Sequence, residues 1–312
     1  MSNRTELYRL LKTGGFFVTP FLCYFLMILL VDPFNYFRYS TVISQEAKRL
    51  TAGKFHYALW KSIEYKRSPS EYVLFGDSRM GSLDKILISR LSGDQYFNFS
   101  FGGGTVSEMV DAFWFSTELA DLKSVYLGIG FINFNSFQNM NRFEESNSIL
   151  DNKLLYLVNK TVLKSAIYSV YVEKTQQKPD VERPSMDKAQ FWDSQLHDVT
   201  TAFLRNYRYP QEYLTKLQEI ATYCSQNDIK LTFIIPPVHT DLLNRFAEFG
   251  LEDEQIRFGF DLRKIAPVID FAFPNSFTQD RANFGDPYHY SVAEVLEYEI
   301  WSASERSEIS RN

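Results

Sequence analysis

The run Glu71-Tyr72-Val73-Leu74-Phe75-Gly76-Asp77-Ser78-Arg79 puts a serine directly behind a short apolar stretch and a glycine. Read as a strand over 72–75 that breaks at Gly76 into a helix-like stretch, it exposes the Ser78 hydroxyl beside free backbone N–H groups. A nucleophilic serine needs that placement, because N–H groups at a helix start stabilise developing negative charge. The same tripeptide also suits a plain turn in which Ser78 caps the next helix. Near the other end, Gly285-Asp286-Pro287-Tyr288-His289-Tyr290-Ser291 carries an Asp-x-x-His spacing. An Asp three residues before a His can accept the Nδ1 proton and leave Nε2 free for a hydroxyl, as activation of a nucleophile requires. That spacing is equally at home in an ordinary turn.

Three further segments hold residues suited to the same chemistry. Asn98-Phe99-Ser100-Phe101-Gly102-Gly103-Gly104-Thr105 has three consecutive glycines, which let backbone approach a ligand closely and point N–H groups into a site. A flexible loop closing onto a helix would read the same way. Gly128-Ile129-Gly130-Phe131-Ile132-Asn133-Phe134-Asn135 offers Asn133 or Asn135 as a side-chain N–H donor to an oxyanion, although Asn also favours turns. Pro236-Pro237-Val238-His239 adds a histidine as a substrate contact or a competitor for the base role. The chain has two cysteines, Cys23 and Cys224, far apart and without a Cys-x-x-Cys pair. No disulfide, metal site or cofactor is expected.

Something must carry these segments to one place. With 312 residues, 45% hydrophobic and 23% charged, the chain can bury one large α/β domain plus an appendage. Apolar runs over 72–75, 96–99, 125–129, 231–235 and 268–271 lack inside/outside alternation. Helical patterns lie between them, over 82–91, 105–120, 210–227 and finally 291–303. Such strands separated by helices predict a mainly parallel, doubly wound α/β sheet covered on both faces. Ligand sites in that architecture sit at the C-terminal ends of the strands, which is where all five segments fall. Residues 38–70 read as a charged helical connector and 71–312 as the domain itself. A stretch over 136–206, including Gln176-Gln177-Lys178-Pro179, interrupts the rhythm. It reads as an insertion, either a lid or partner surface or two ordinary helices on the sheet. The net charge of −5 gives no footprint for nucleic acid.

Residues 1–37 read as a cytoplasmic tail and a single membrane anchor. Arg4, Arg9 and Lys12 precede an apolar stretch from Gly14 to Val31, close to the about 20 residues that cross a bilayer. The stretch ends in Asp32-Pro33-Phe34-Asn35-Tyr36-Phe37, with aromatics at the level of an interface belt. A cleaved signal would end instead in a small-x-small site; a buried core helix is the remaining alternative. The basic residues predict an N-terminus inside the cytoplasmic membrane and everything after residue 37 outside. The lipid bilayer is thus an expected partner of residues 14–31.

Taken in order, Ser78 after the first strand, glycine after the second, asparagine after the third and Asp-x-x-His before the last helix resemble the SGNH (GDSL-like) hydrolase superfamily. The resemblance spans residues 72 to about 302. It implies a flavodoxin-like three-layer sandwich in which Ser78 is the nucleophile, His289 the general base and then acid, and Asp286 its orienting group. It also implies an oxyanion hole made by the Ser78 and Gly103 backbone N–H groups with Asn133 or Asn135. The family's third block usually reads Gly-x-Asn-Asp, whereas Gly130 here is followed by Phe131-Ile132-Asn133. Arg79 directly after the serine, together with one anchor, is similar to a narrower group. Its members work beside membrane-bound O-acyltransferases (MBOATs), as the lipoteichoic acid D-alanylation protein does. This resemblance implies an extracytoplasmic O-acyltransferase that passes an acyl group, acetyl above all, through Ser78 to a polysaccharide or teichoic-acid-like acceptor. Arg79 and His239 would then be substrate contacts. A membrane-anchored esterase and a non-catalytic scaffold subunit of an envelope assembly are the other readings.

Overall fold

The computed structural model describes residues 2–177 and 186–309; Lys178 and Pro179 of the insertion motif lie outside the described residues. The chain forms two compact units, Met1–Glu64 with Glu145–Arg183, and Tyr65–Glu144 with Pro184–Asn312.

The second unit is built on a five-stranded sheet in the order β2-β1-β3-β4-β5. The strands are β1 (Tyr72–Phe75), β2 (Tyr96–Asn98), β3 (Ser124–Gly128), β4 (Lys230–Ile235) and β5 (Val268–Asp270). Every pairing is parallel, so the strand order reverses between β1 and β3, the position where such sheets open a crevice for ligands. The register sets Tyr72 beside Tyr96 and Leu74 beside Tyr126. One face of the sheet packs on Trp301, whose ring lies 5.9 Å from Tyr96 and 5.4 Å from Tyr126. On the other face Phe113 of the helix Val106–Thr117 meets Phe75 at 6.2 Å. Both faces are therefore covered, and that is why β1 and β3 read as continuous apolar runs rather than alternating ones.

Local sequence explains where the elements differ from the expected bounds. The helix expected over 82–91 is two helices, Ser78–Gly81 and Lys85–Ser92. Asp84 accepts the Ile86 N–H at 2.8 Å and restarts the chain as an N-cap. The last helix begins at Glu294 rather than 291.

In the first unit the N-terminal helix runs Ser2–Val31, and Leu11–Val31 is long and apolar enough to cross a membrane, with mean hydropathy 2.2. The connector is two helices, Gln45–Phe55 and Tyr57–Arg67, the second running on past the unit's boundary at Glu64. Val31 packs with Ile43, Ala47, Ala166 and Val172 in one buried cluster. Ala166 and Val172 belong to the helix Lys160–Thr175, so part of the 136–206 insertion packs with the N-terminal helix. Asp32 ends that helix at φ 43°. Its buried carboxylate accepts the N–H groups of Tyr36, Phe37 and Arg38 at 2.7, 2.9 and 2.8 Å and the Tyr156 hydroxyl at 3.0 Å.

Candidate active site

At the end of β1, Asp77 is the N-cap of the one-turn helix Ser78–Gly81, accepting the Arg79 N–H at 2.8 Å. Ser78 is the first helical residue and not the cap, so its hydroxyl is released from the role that a plain turn would give it. It lies 2.7 Å from His289 Nε2. His289 Nδ1 lies 2.9 and 2.8 Å from the two Asp286 carboxylate oxygens. An ionised carboxylate only accepts, so Nδ1 carries the hydrogen and the Nε2 lone pair faces Ser78. Burial on its own would raise the Asp286 pKa. The His289 contact and the Tyr288 and His289 backbone N–H groups outweigh it and hold the carboxyl below its usual range.

Long-range bonds fix the turn that presents His289. Phe284 and Tyr290 form an antiparallel bridge, and Gly285 N–H donates to the His289 carbonyl at 2.8 Å. The Pro287 carbonyl accepts the His239 N–H at 3.0 Å, tying the turn to the end of β4. The Tyr290 hydroxyl donates to the Arg79 carbonyl, tying it to the serine helix.

Ser78 and His289 open into a cavity of about 260 Å³ whose wall includes Gly103 and Asn133. Gly103 adopts φ 63°, a conformation that other residues reach only under strain. The loop around it is clamped by Arg142, which donates to the Gly102 and Gly103 carbonyls at 3.0 Å each. The same guanidinium grips fully buried Glu108 at 2.8 and 2.9 Å. Glu108 also closes a capping box with Thr105 at the start of the following helix. The glycine loop is thus anchored on both sides.

The structure separates the two asparagines. Asn133, on the 3-10 turn Phe131–Asn133 after β3, accepts from Arg79 Nη2 at 2.7 Å and donates to the Gly104 carbonyl at 3.0 Å. A guanidinium only donates, which fixes Oδ1 towards Arg79 and Nδ2 towards the glycine loop. One Nδ2 hydrogen serves Gly104, and Asn133 itself lines the cavity. Asn135 does not line the cavity, contrary to its expected place in the oxyanion hole. It is fully buried, its Oδ1 accepting from the Phe137 and Arg208 N–H groups and its Nδ2 donating to Phe203.

Arg79 and His239 fall in different places. Arg79 is buried and its guanidinium grips Asp77 at 2.6 and 3.0 Å while orienting Asn133. It also lines the cavity beside Ser78, as a substrate contact would. Gly130 makes room for it, because a Cβ there would come within 2.3 Å of the guanidinium. His239 does not line the cavity. It caps the helix Thr240–Glu248, its Nδ1 accepting the Asp241 N–H at 3.0 Å, between the rings of Trp192 and Phe284. Burial lowers its pKa, as suits a neutral structural ring.

The far wall consists of Gln195, Val199 and Phe203. Gln195–Val199 is a π-helical turn between Lys188–Ser194 and Thr200–Arg205. Thr200 Oγ1 donates to the Gln195 carbonyl and contacts the Tyr288 hydroxyl, so this wall is fastened to the histidine turn. Sequence reasoning missed Arg142, Tyr290 and this π turn. Only the Thr105-x-x-Glu108 capping box left a local signal. The assembled groups suit transfer of an acyl group by a serine nucleophile: a hydroxyl, a base oriented by a carboxylate, and N–H donors beside both. No family model and no curated protein matches the chain.

Proposed function

We propose that the chain is a membrane-anchored serine acyltransferase of SGNH type, its second unit the corresponding three-layer sandwich. The observation that carries this reading is the Ser78–His289–Asp286 relay, with contacts of 2.7 and 2.8 Å. Ser78 Oγ attacks the acyl carbonyl as His289 Nε2 takes its proton. The carbonyl oxygen, now an oxyanion, is stabilised by the Ser78 and Gly103 N–H groups and by Asn133 Nδ2. Collapse expels the donor's leaving group, which takes the proton from His289, and leaves an acyl–Ser78 ester. An acceptor hydroxyl then attacks that ester while His289 again serves as base, and Ser78 recovers its proton. Asp286 keeps the ring in the productive tautomer throughout.

The acceptor in this reading is a hydroxyl of a cell-surface glycan or teichoic-acid-like polymer. The acyl group is acetyl, delivered by a membrane-bound O-acyltransferase. The anchor is supported by Ile28 and Val31, which are buried, Val31 within a core cluster; a cleaved leader would take them out of the fold. The residues beyond the anchor are then extracytoplasmic. An esterase uses the same relay with water as acceptor. Co-expression with a membrane-bound O-acyltransferase and a glycan acceptor distinguishes the two. Ester on the glycan that disappears with Ser78→Ala supports transfer; free acid released at the same rate with or without acceptor supports hydrolysis.

A further inference from the structure

We infer that the helix Lys153–Val158 lies inside the outer leaflet of the membrane beside the N-terminal helix, with lipid acyl chains as its partner. The inference rests on the anchor reading above and adds a second, non-spanning membrane contact to it. Leu11–Val31 is the apolar span, about 31 Å of helix, which matches a hydrocarbon core of about 30 Å. Arg9 and Lys12 at one end and Asp32 at the other leave it little room to slide. The last two turns of the span are therefore within the outer leaflet.

Those are the turns that the first unit covers. Tyr24, Phe25 and Met27 are half-buried, and Ile28 and Val31 are buried. The helices Lys153–Val158 and Lys160–Thr175 both pack against the N-terminal helix. Two contacts bracket the depth, the inner one from the Tyr24 hydroxyl, which reaches the Asn159 carbonyl at 3.5 Å. Tyr24 precedes Val31 by about 10 Å of helix. Asn159 thus sits on the order of 10 Å below the outer end of the span, while the Tyr156 hydroxyl meets Asp32 at that end, so the helix between them lies within the depth at which interfacial helices bury their apolar faces.

The side chains agree with that depth. Leu154, Leu155 and Val158 are 71%, 42% and 57% exposed, while Tyr156 between them is fully buried in the first unit. Leu26, Leu29 and Leu30 on the span itself are exposed as well. The flanking Lys153 and Lys160 are exposed, and their long stems let the ammonium groups reach the headgroups.

Nitroxide labels test this in the purified full-length chain, reconstituted alone in phosphatidylcholine vesicles. Leu155→Cys and Val158→Cys are labelled in a Cys23→Ala background, with Cys224 buried and unreactive. Native Cys23, exposed on the span, serves as the membrane reference. Collision with oxygen is expected to exceed collision with a water-soluble nickel chelate several-fold at both new sites, as at Cys23. The inference is overturned if the chelate dominates at 155 and 158 while Cys23 stays oxygen-rich, because a surface that meets water in bare lipid has some other partner. If the chelate also reaches Cys23, the anchor reading falls and this inference with it.

Discussion

The proposed base role of His289 requires its Nδ1 hydrogen to be held away from Ser78, and both Asp286 oxygens contact Nδ1. Asp286→Asn keeps the shape but permits the wrong tautomer, so the expected loss in kcat is about 10⁴-fold with an unchanged fold. Circular dichroism together with acyl-transfer kinetics checks both halves. The Asp286 pKa lies below its usual value, so the stability contributed by its ionised form is complete above the unfolded value. It is lost as pH falls through the lower, folded one. Urea midpoints of wild type and Asp286→Asn are expected to differ at neutral pH and to converge below about pH 4; a gap that persists in acid would contradict this. At this scale the sequence was informative wherever the chemistry is local. Ser78 follows its own strand, and Asp286 and His289 share one turn. Asn133 and Asn135 were not separable, because both follow β3 and only the 3-10 turn and the Arg79 guanidinium decide which one faces the cavity.

At the scale of elements, the glycine loop depends on a residue 39 positions further along the chain, since Arg142 fastens the Gly103 carbonyl. Arg142→Ala would strand the Glu108 carboxylate, a loss of about 3–5 kcal/mol that confuses folding with function. Arg142→Lys keeps the charge but not the planar fork. It is expected to lower kcat about 10-fold or more, in the range of a weakened oxyanion donor, with little change in KM and melting temperature. An unchanged kcat would show that the clamp does not position the loop. The strands were legible because both sheet faces are covered. The π turn Gln195–Val199 was not, because its contacts with Tyr288 through Thr200 join residues 88 positions apart.

At the scale of the whole molecule, the two-unit division was hidden from the sequence. Residues 145–183 join residues 1–64 through packing at Val31, Ala47 and Ala166, and small apolar positions of this kind carry no periodic signal over such distances. Removing residues 1–31 deletes the buried Ile28 and Val31 side chains, each worth about 1.5–3 kcal/mol. Limited proteolysis of the truncated chain is expected to cut within 145–177 faster than in the full chain. Equal rates would mean that the N-terminal helix is not part of the first unit's core.

In the proposed mechanism Ser78 carries the acyl group. Its most direct test is peptide mass spectrometry after quenching the full chain in mid-turnover with a short-chain acyl ester. One added acyl group is expected on the peptide containing Ser78, absent from Ser78→Ala and strongly reduced in His289→Ala. No adduct under turnover, or an adduct that survives Ser78→Ala, would contradict it.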